Sequence, residues 1–209
     1  MEKGRARSVS SNKGTILNRL TPEESATILH RLLKARPSLR AATVRVAKSL
    51  LREVTFKDVA DEVEASVQDL DLDDLHARAG GHEDGYVEPT QAAWDILEET
   101  MEPFLDNIKR HMELGLEYEA IEICQGVVLG LYRIEQGKNG KIVEWAPDFP
   151  GEAAGSAIEA LRTGGKGRIG RSRIRGRQKG PRFPPEFMDQ FDAGWRDMIV
   201  KILSPKRRT

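Results

Sequence analysis

Apolar residues recur along most of this chain at steps of three and four, the period of an α-helix that turns one face to a core. Thr21, Pro22, Glu23 and Glu24 make a helix start. The Thr hydroxyl accepts from a first-turn amide, Pro sits where no helical hydrogen bond is lost, and Glu24 reaches back to complete a capping box. The helix predicted from there covers about 22–36, with Ala26, Leu29, Leu32 and Leu33 at helical spacing. Beyond Arg36 and Pro37, a second helix is marked by Leu39, Thr43, Val46, Ala47, Leu50 and Leu51. Thr55 is placed to cap a third, whose apolar stripe is Phe56, Val59, Ala60, Val63, Val67 and Leu70. A short turn over 72–79 then leads into a glycine loop around Gly80, Gly81 and Gly85.

The strongest periodicity runs from Pro89 to Leu114, where Trp94, Leu97, Met101, Leu105, Ile108 and Met112 recur at helical steps that no strand satisfies. Pro103 removes an amide donor inside it, which predicts a kink or two shorter helices meeting near Glu102. Gly115 marks the end of that segment. A helix over 117–136 is apolar around more of its circumference and is expected to be the central one of the fold. Its Gly126 and Gly130 lie four residues apart, which predicts close approach by a neighbouring helix. Trp145 and Phe149, held between prolines in the loop 137–151, are expected to plug an open end of the helical layer. A modest helix from Glu152 to Arg162 closes this part.

Composition changes abruptly afterwards. Residues 164–180 hold six glycines, seven Lys or Arg and no acid, a mixture that cannot build a core. Pro184 and Pro185 introduce a last amphipathic helix, with Phe187, Phe191, Trp195, Met198, Ile199 and Ile202 sharing one face and Ser204 with Pro205 ending it. No convincing strand pair occurs; the one β-like alternation is Arg171, Arg173, Arg175 and Arg177. The fold class expected is therefore all-α, with antiparallel helical hairpins forming a bundle or short solenoid. The expected organisation is a basic flexible segment (1–20), a helical domain (21–163), a basic Gly/Arg-rich linker (164–183) and a C-terminal amphipathic helix with a basic tail (184–209).

Charge alters this picture more than overall composition does. The 33 basic and 33 acidic side chains cancel, but residues 1–52 carry 12 basic and 3 acidic, 53–163 carry 8 and 26, and 164–209 carry 13 and 4. Basic ends flanking an acidic middle suggest an electrostatic partner for each, or pairing with one another. Lys166, Arg168, Arg171, Arg173, Arg175, Arg177, Lys179 and Arg182 are candidate nucleic-acid contacts. Arg pairs with phosphates, but no aromatic residue interleaves the series, so binding would be backbone-driven and salt-dependent.

Other chemistry is sparse. Cys124 stands alone on the most apolar helix, which excludes an intrachain disulfide and predicts an inert thiol. His30, His76, His82 and His111 lack the spacing of a metalloprotease, and Asp69, Asp71 and Asp73 lack the glycine and glutamate of a calcium loop. The glycine clusters match no phosphate-binding pattern. No cofactor or metal is expected. The segment Gly115–Tyr132, with Tyr118, Glu119, Ala120 and Ile121, locally resembles one helix of a tetratricopeptide-type repeat, without a second copy at the repeat's period. With no run of roughly 18 apolar residues and no secretory leader pattern, the expectation is a cytoplasmic, non-enzymatic helical scaffold or adaptor that binds another protein or itself. Its protein-binding candidates are Phe187, Phe191, Trp195, Met198, Ile199 and Ile202, inserted into a partner's groove or docked on their own bundle. The alternative is a nucleic-acid-associated accessory protein, contacting RNA or DNA through its basic termini.

Overall fold

The computed structural model describes residues 16–82, 85–137, 140–164 and 182–204, and the chain divides into two compact units, Met1–Leu51 and Arg52–Thr209.

In the first unit, α1 (Pro22–Ala35) and α2 (Arg40–Leu51) are joined by a 3-10 turn at Pro37–Leu39. The capping box forms as the sequence predicts: Thr21 N–H donates to Glu24 Oε2 at 3.0 Å and Glu24 N–H donates to Thr21 Oγ1 at 3.2 Å. Such a cap contributes about 1 kcal/mol. Burial of the two stripes does not follow, because neither helix has a buried residue.

The second unit is built on α3 (Phe56–Gln68), α5 (Pro89–Glu113), α6 (Glu117–Gly137) and α7 (Phe149–Thr163), with the short α4 (Leu72–Arg78) against α5. Central α6 packs against α3, α5 and α7. It buries Ala120, Ile123, Cys124, Val127, Val128, Leu131 and Ile134, in keeping with its broad apolar circumference. The α3–α6 contact depends on the two glycines. A Cβ at Gly126 would lie 2.7 Å from Phe56 O, and one at Gly130 would lie 2.8 Å from Ala60 O. Hydrogen in place of a methyl lets the two backbones meet, as the glycine spacing predicts. Because Gly126 faces Phe56 and Val59 while Gly130 faces Ala60 and Val63, the two helices run in the same direction. In contrast, α5 and α6 form an antiparallel hairpin, turned at Gly115 with φ +71°. Arg133 ties α6 to Asp61 of α3 at 2.6 Å, and Arg52 pairs with the buried Glu119 at 3.2 Å.

Three local expectations change. First, of the two outcomes expected at Pro103, the break into two shorter helices does not occur: α5 runs as one helix from Pro89 to Glu113 with Pro103 inside it. Second, the glycine loop contains a small antiparallel ribbon, β1 (Gly80–His82) and β2 (Gly85–Val87), with Gly81 opposite Tyr86. Gly80 and Gly85 adopt φ +106° and +134°, conformations open to glycine and strained for other residues. Third, of the two aromatics expected to plug the bundle, Phe149 is buried and Trp145 is 44% exposed.

The C-terminal segment forms two helices rather than one, α8 (Pro185–Met188) and α9 (Ala193–Leu203). Asp192 causes the break: its Oδ1 accepts from Trp195 N–H at 2.9 Å, an N-cap that competes with continuous helix. The resulting turn directs Phe187, Phe191 and Trp195 inward together.

Candidate functional site

A cleft of about 510 Å³ runs between α5 and α7. Both helices contribute residues at helical spacing, so each offers an apolar line beside an acidic one. Buried Met101, Phe149 and Ala153 and half-buried Trp94 and Leu105 line its floor. The Trp94 and Phe149 rings meet edge to face at 5.2 Å. Asp95, Glu98, Glu99, Glu102 and Glu152 rim it.

The rim acids differ in their commitments. Glu98 Oε1 accepts from Trp94 Nε1 at 3.0 Å, fixing the indole. Asp95 Oδ1 accepts from Gln91 Nε2 at 2.7 Å. Glu99 forms a bidentate pair with Arg78 at 2.6 and 2.7 Å. Those hydrogen bonds hold the Glu99 carboxyl below its ordinary value and raise the Arg78 guanidinium above its own. Glu102 and Glu152 are exposed. Lys109 at the far end of the cleft is paired with Asp106 at 2.8 Å. The chemistry available is that of an anionic rim over an aromatic and aliphatic floor, suited to a ligand that is cationic at its edges and apolar between them.

The six C-terminal candidates come together, but against their own bundle. Phe187, Phe191, Trp195 and Ile199 are buried in the core cluster, and Met198 and Ile202 are half-buried against it. Phe187 stacks edge-on to Phe56 at 5.5 Å, and Tyr132 meets Phe191 at 5.0 Å and Trp195 at 5.3 Å. Of the basic candidates, Lys166, Arg168, Arg171, Arg173, Arg175, Arg177 and Lys179 lie outside the described residues, and Arg182 is exposed.

Cys124 is fully buried, and desolvation pushes its thiol well above the ordinary value. His111 is buried too, with Nδ1 2.9 Å from Asn107 O. Its Nε2 and the Nε2 of buried Gln125 have no hydrogen-bond partner. Among the described residues no group of three or more His, Cys, Asp or Glu side chains is placed to hold a metal, and no helix is long and apolar enough to cross a membrane.

The cleft escaped sequence reasoning. Its signal is the set Asp95, Glu98 and Glu102, spaced three and four apart along one edge of the Trp94–Met101–Leu105 stripe. That spacing shows an acidic border to an apolar face, but it does not show that α7 leaves the border open. Compared with protein-family models, with characterised proteins and with solved structures, the chain matches none.

Proposed function

We propose that this protein is a non-enzymatic helical scaffold that works by holding another protein. The observation that carries this reading is the exposed apolar surface of the first unit. Ile28, Leu29 and Leu32 on α1 and Val44, Val46 and Leu50 on α2 are all exposed, Val46 to 61% and Leu50 to 64%. Isolated helices of 14 and 12 residues are marginal in water, and apolar stripes gain stability when covered. An apolar surface of this kind is the usual mark of an interaction site. The inward docking of Phe191 and Trp195 moves the binding role from the C-terminal helix to α1, α2 and the α5–α7 cleft. The one thiol, buried and held un-ionised, offers no nucleophile.

A photo-crosslinking side chain placed at Leu32 or Val46 of the full chain tests this reading. The expected result is a protein adduct that persists after nuclease treatment. Adducts that vanish with nuclease would transfer the role to nucleic acid, for which Arg40, Arg45 and Lys48 on acid-free α2 are the available contacts. Absence of any adduct overturns the scaffold reading.

A further inference from the structure

We propose that the acid-rimmed cleft between α5 and α7 receives α2 of a second copy of this chain. This inference rests on the scaffold reading above and names the partner. Two surfaces carry it, matched to each other in charge. The cleft has an apolar floor around Trp94, Met101 and Phe149 and an exposed anionic rim at Glu98, Glu102 and Glu152. Helix α2 has the reverse chemistry. Arg40, Arg45 and Lys48 are its only charged side chains; exposed Val44 lies beside Lys48 with Ala47 and Leu51 on the same face, and exposed Val46 and Leu50 lie on another.

Dimensions agree as well as charge. At the helical rise of about 1.5 Å per residue, the α5 edge of the cleft from Trp94 to Lys109 is roughly 22 Å long, and the 12 residues of α2 span roughly 18 Å. A helix laid along the cleft with Val44, Ala47 and Leu51 toward the floor carries Lys48 and Arg45 on one flank, toward the rim, the helix-in-groove arrangement of many protein complexes. Pairing α2 with α2 of another copy would instead oppose like charges, since residues 16–51 hold seven basic side chains against two acidic ones. Every copy has both an α2 and a cleft, so two copies that exchange them reciprocally satisfy both surfaces in one dimer.

Sedimentation velocity on the full chain decides the matter. The wild type is expected to dimerise at micromolar concentration in low salt and to dissociate as salt rises, because the contacts at the rim are screened. Arg45→Glu with Lys48→Glu reverses the arm, and Glu102→Arg with Glu152→Arg reverses the rim. Each double variant is expected to weaken self-association by roughly tenfold or more while keeping a wild-type circular dichroism spectrum. Mixing the two variants should restore a heterodimer, since one interface is then native and the other is reversed on both sides. Dimers that survive either reversal, or a mixture that stays monomeric, overturn the proposal. So does a monomeric wild type, including one that sediments with phosphatidylserine vesicles. A monomer whose Leu32 or Val46 crosslinks to a different protein overturns the second copy alone and leaves the scaffold reading intact.

Discussion

The indole Nε1 of Trp195 donates a hydrogen bond to Glu135 Oε2 at 2.5 Å across a sequence separation of 60 residues, fastening the last helix to the central one. Around that bond Phe187 meets Phe191 edge to face at 5.0 Å and Phe191 stacks on Trp195 at 6.2 Å, with Tyr132 and Phe56 against the series. The C-terminal segment is thus part of the core, and its removal is expected to act on stability first. Phe191→Ala should lower the unfolding free energy by about 3–5 kcal/mol, the range for deleting a buried aromatic. Denaturant unfolding checks this; a loss under about 1 kcal/mol would mean that α8 and α9 sit loosely.

The Gly126 and Gly130 contacts predict a second effect. Alanine favours a helix over glycine by about 1 kcal/mol, so in an open position either substitution would stabilise. Here the new methyl would fall under 3 Å from α3 backbone oxygens, and overpacking of that kind costs about 1–3 kcal/mol or more. The backbone cannot rotate aside as a side chain can, so the steric cost exceeds the propensity gain. Gly126→Ala is expected to destabilise the protein by at least about 1 kcal/mol in thermal or denaturant melts, whereas alanine at half-buried Gly151, where a new methyl would meet Met198 Sδ at an ordinary 3.9 Å, should be neutral to stabilising.

Burial of Cys124 predicts a silent thiol. With its pKa raised by desolvation, it holds almost no thiolate at neutral pH, and no solvent reaches it. Ellman's reagent should leave the folded chain unmodified and label one thiol per chain after denaturation. Rapid labelling of the native protein would show that α6 opens. Cys124→Ser, which places a hydroxyl among apolar neighbours, is expected to cost about 1–3 kcal/mol.

The Arg78–Glu99 pair supplies a pH dependence. Its hydrogen bonds depress the Glu99 pKa in the folded state, so whatever stability the pair adds is present above the unfolded carboxyl pKa and is lost as pH falls through the lower, folded one. Both side chains are exposed and the contribution is small. Arg78→Met should move the Glu99 titration up toward the ordinary carboxylate value in a carboxyl-detected NMR experiment, and the stability gap between the two proteins should narrow in acid. An unchanged Glu99 titration would show that the pair does not persist in solution.

Much of this molecule is written in its local pattern. Thr21 and Thr55 cap the helices they precede, Gly115 ends α5, and the stripe on α6 makes it the central helix. Periodicity of 3.6 and the chemistry of caps act over a few residues, so a single chain displays them directly. Two glycines four apart also announced a close neighbour, because no other role justifies their cost in a helix. What local pattern cannot state is which stripe receives a cover. The stripes of α1 and α9 look alike in sequence, yet Leu29 and Leu32 face solvent while Phe191 and Ile199 are buried. Nor could it show that Glu98 and Glu102 on α5 and Glu152 on α7 rim one cleft, since they meet only after the helices pack. Sequence alone determined the helices and their apolar faces. Tertiary packing decided which of those faces were spent on the core and which stayed exposed, because burial is a property of pairs of surfaces brought together across the chain.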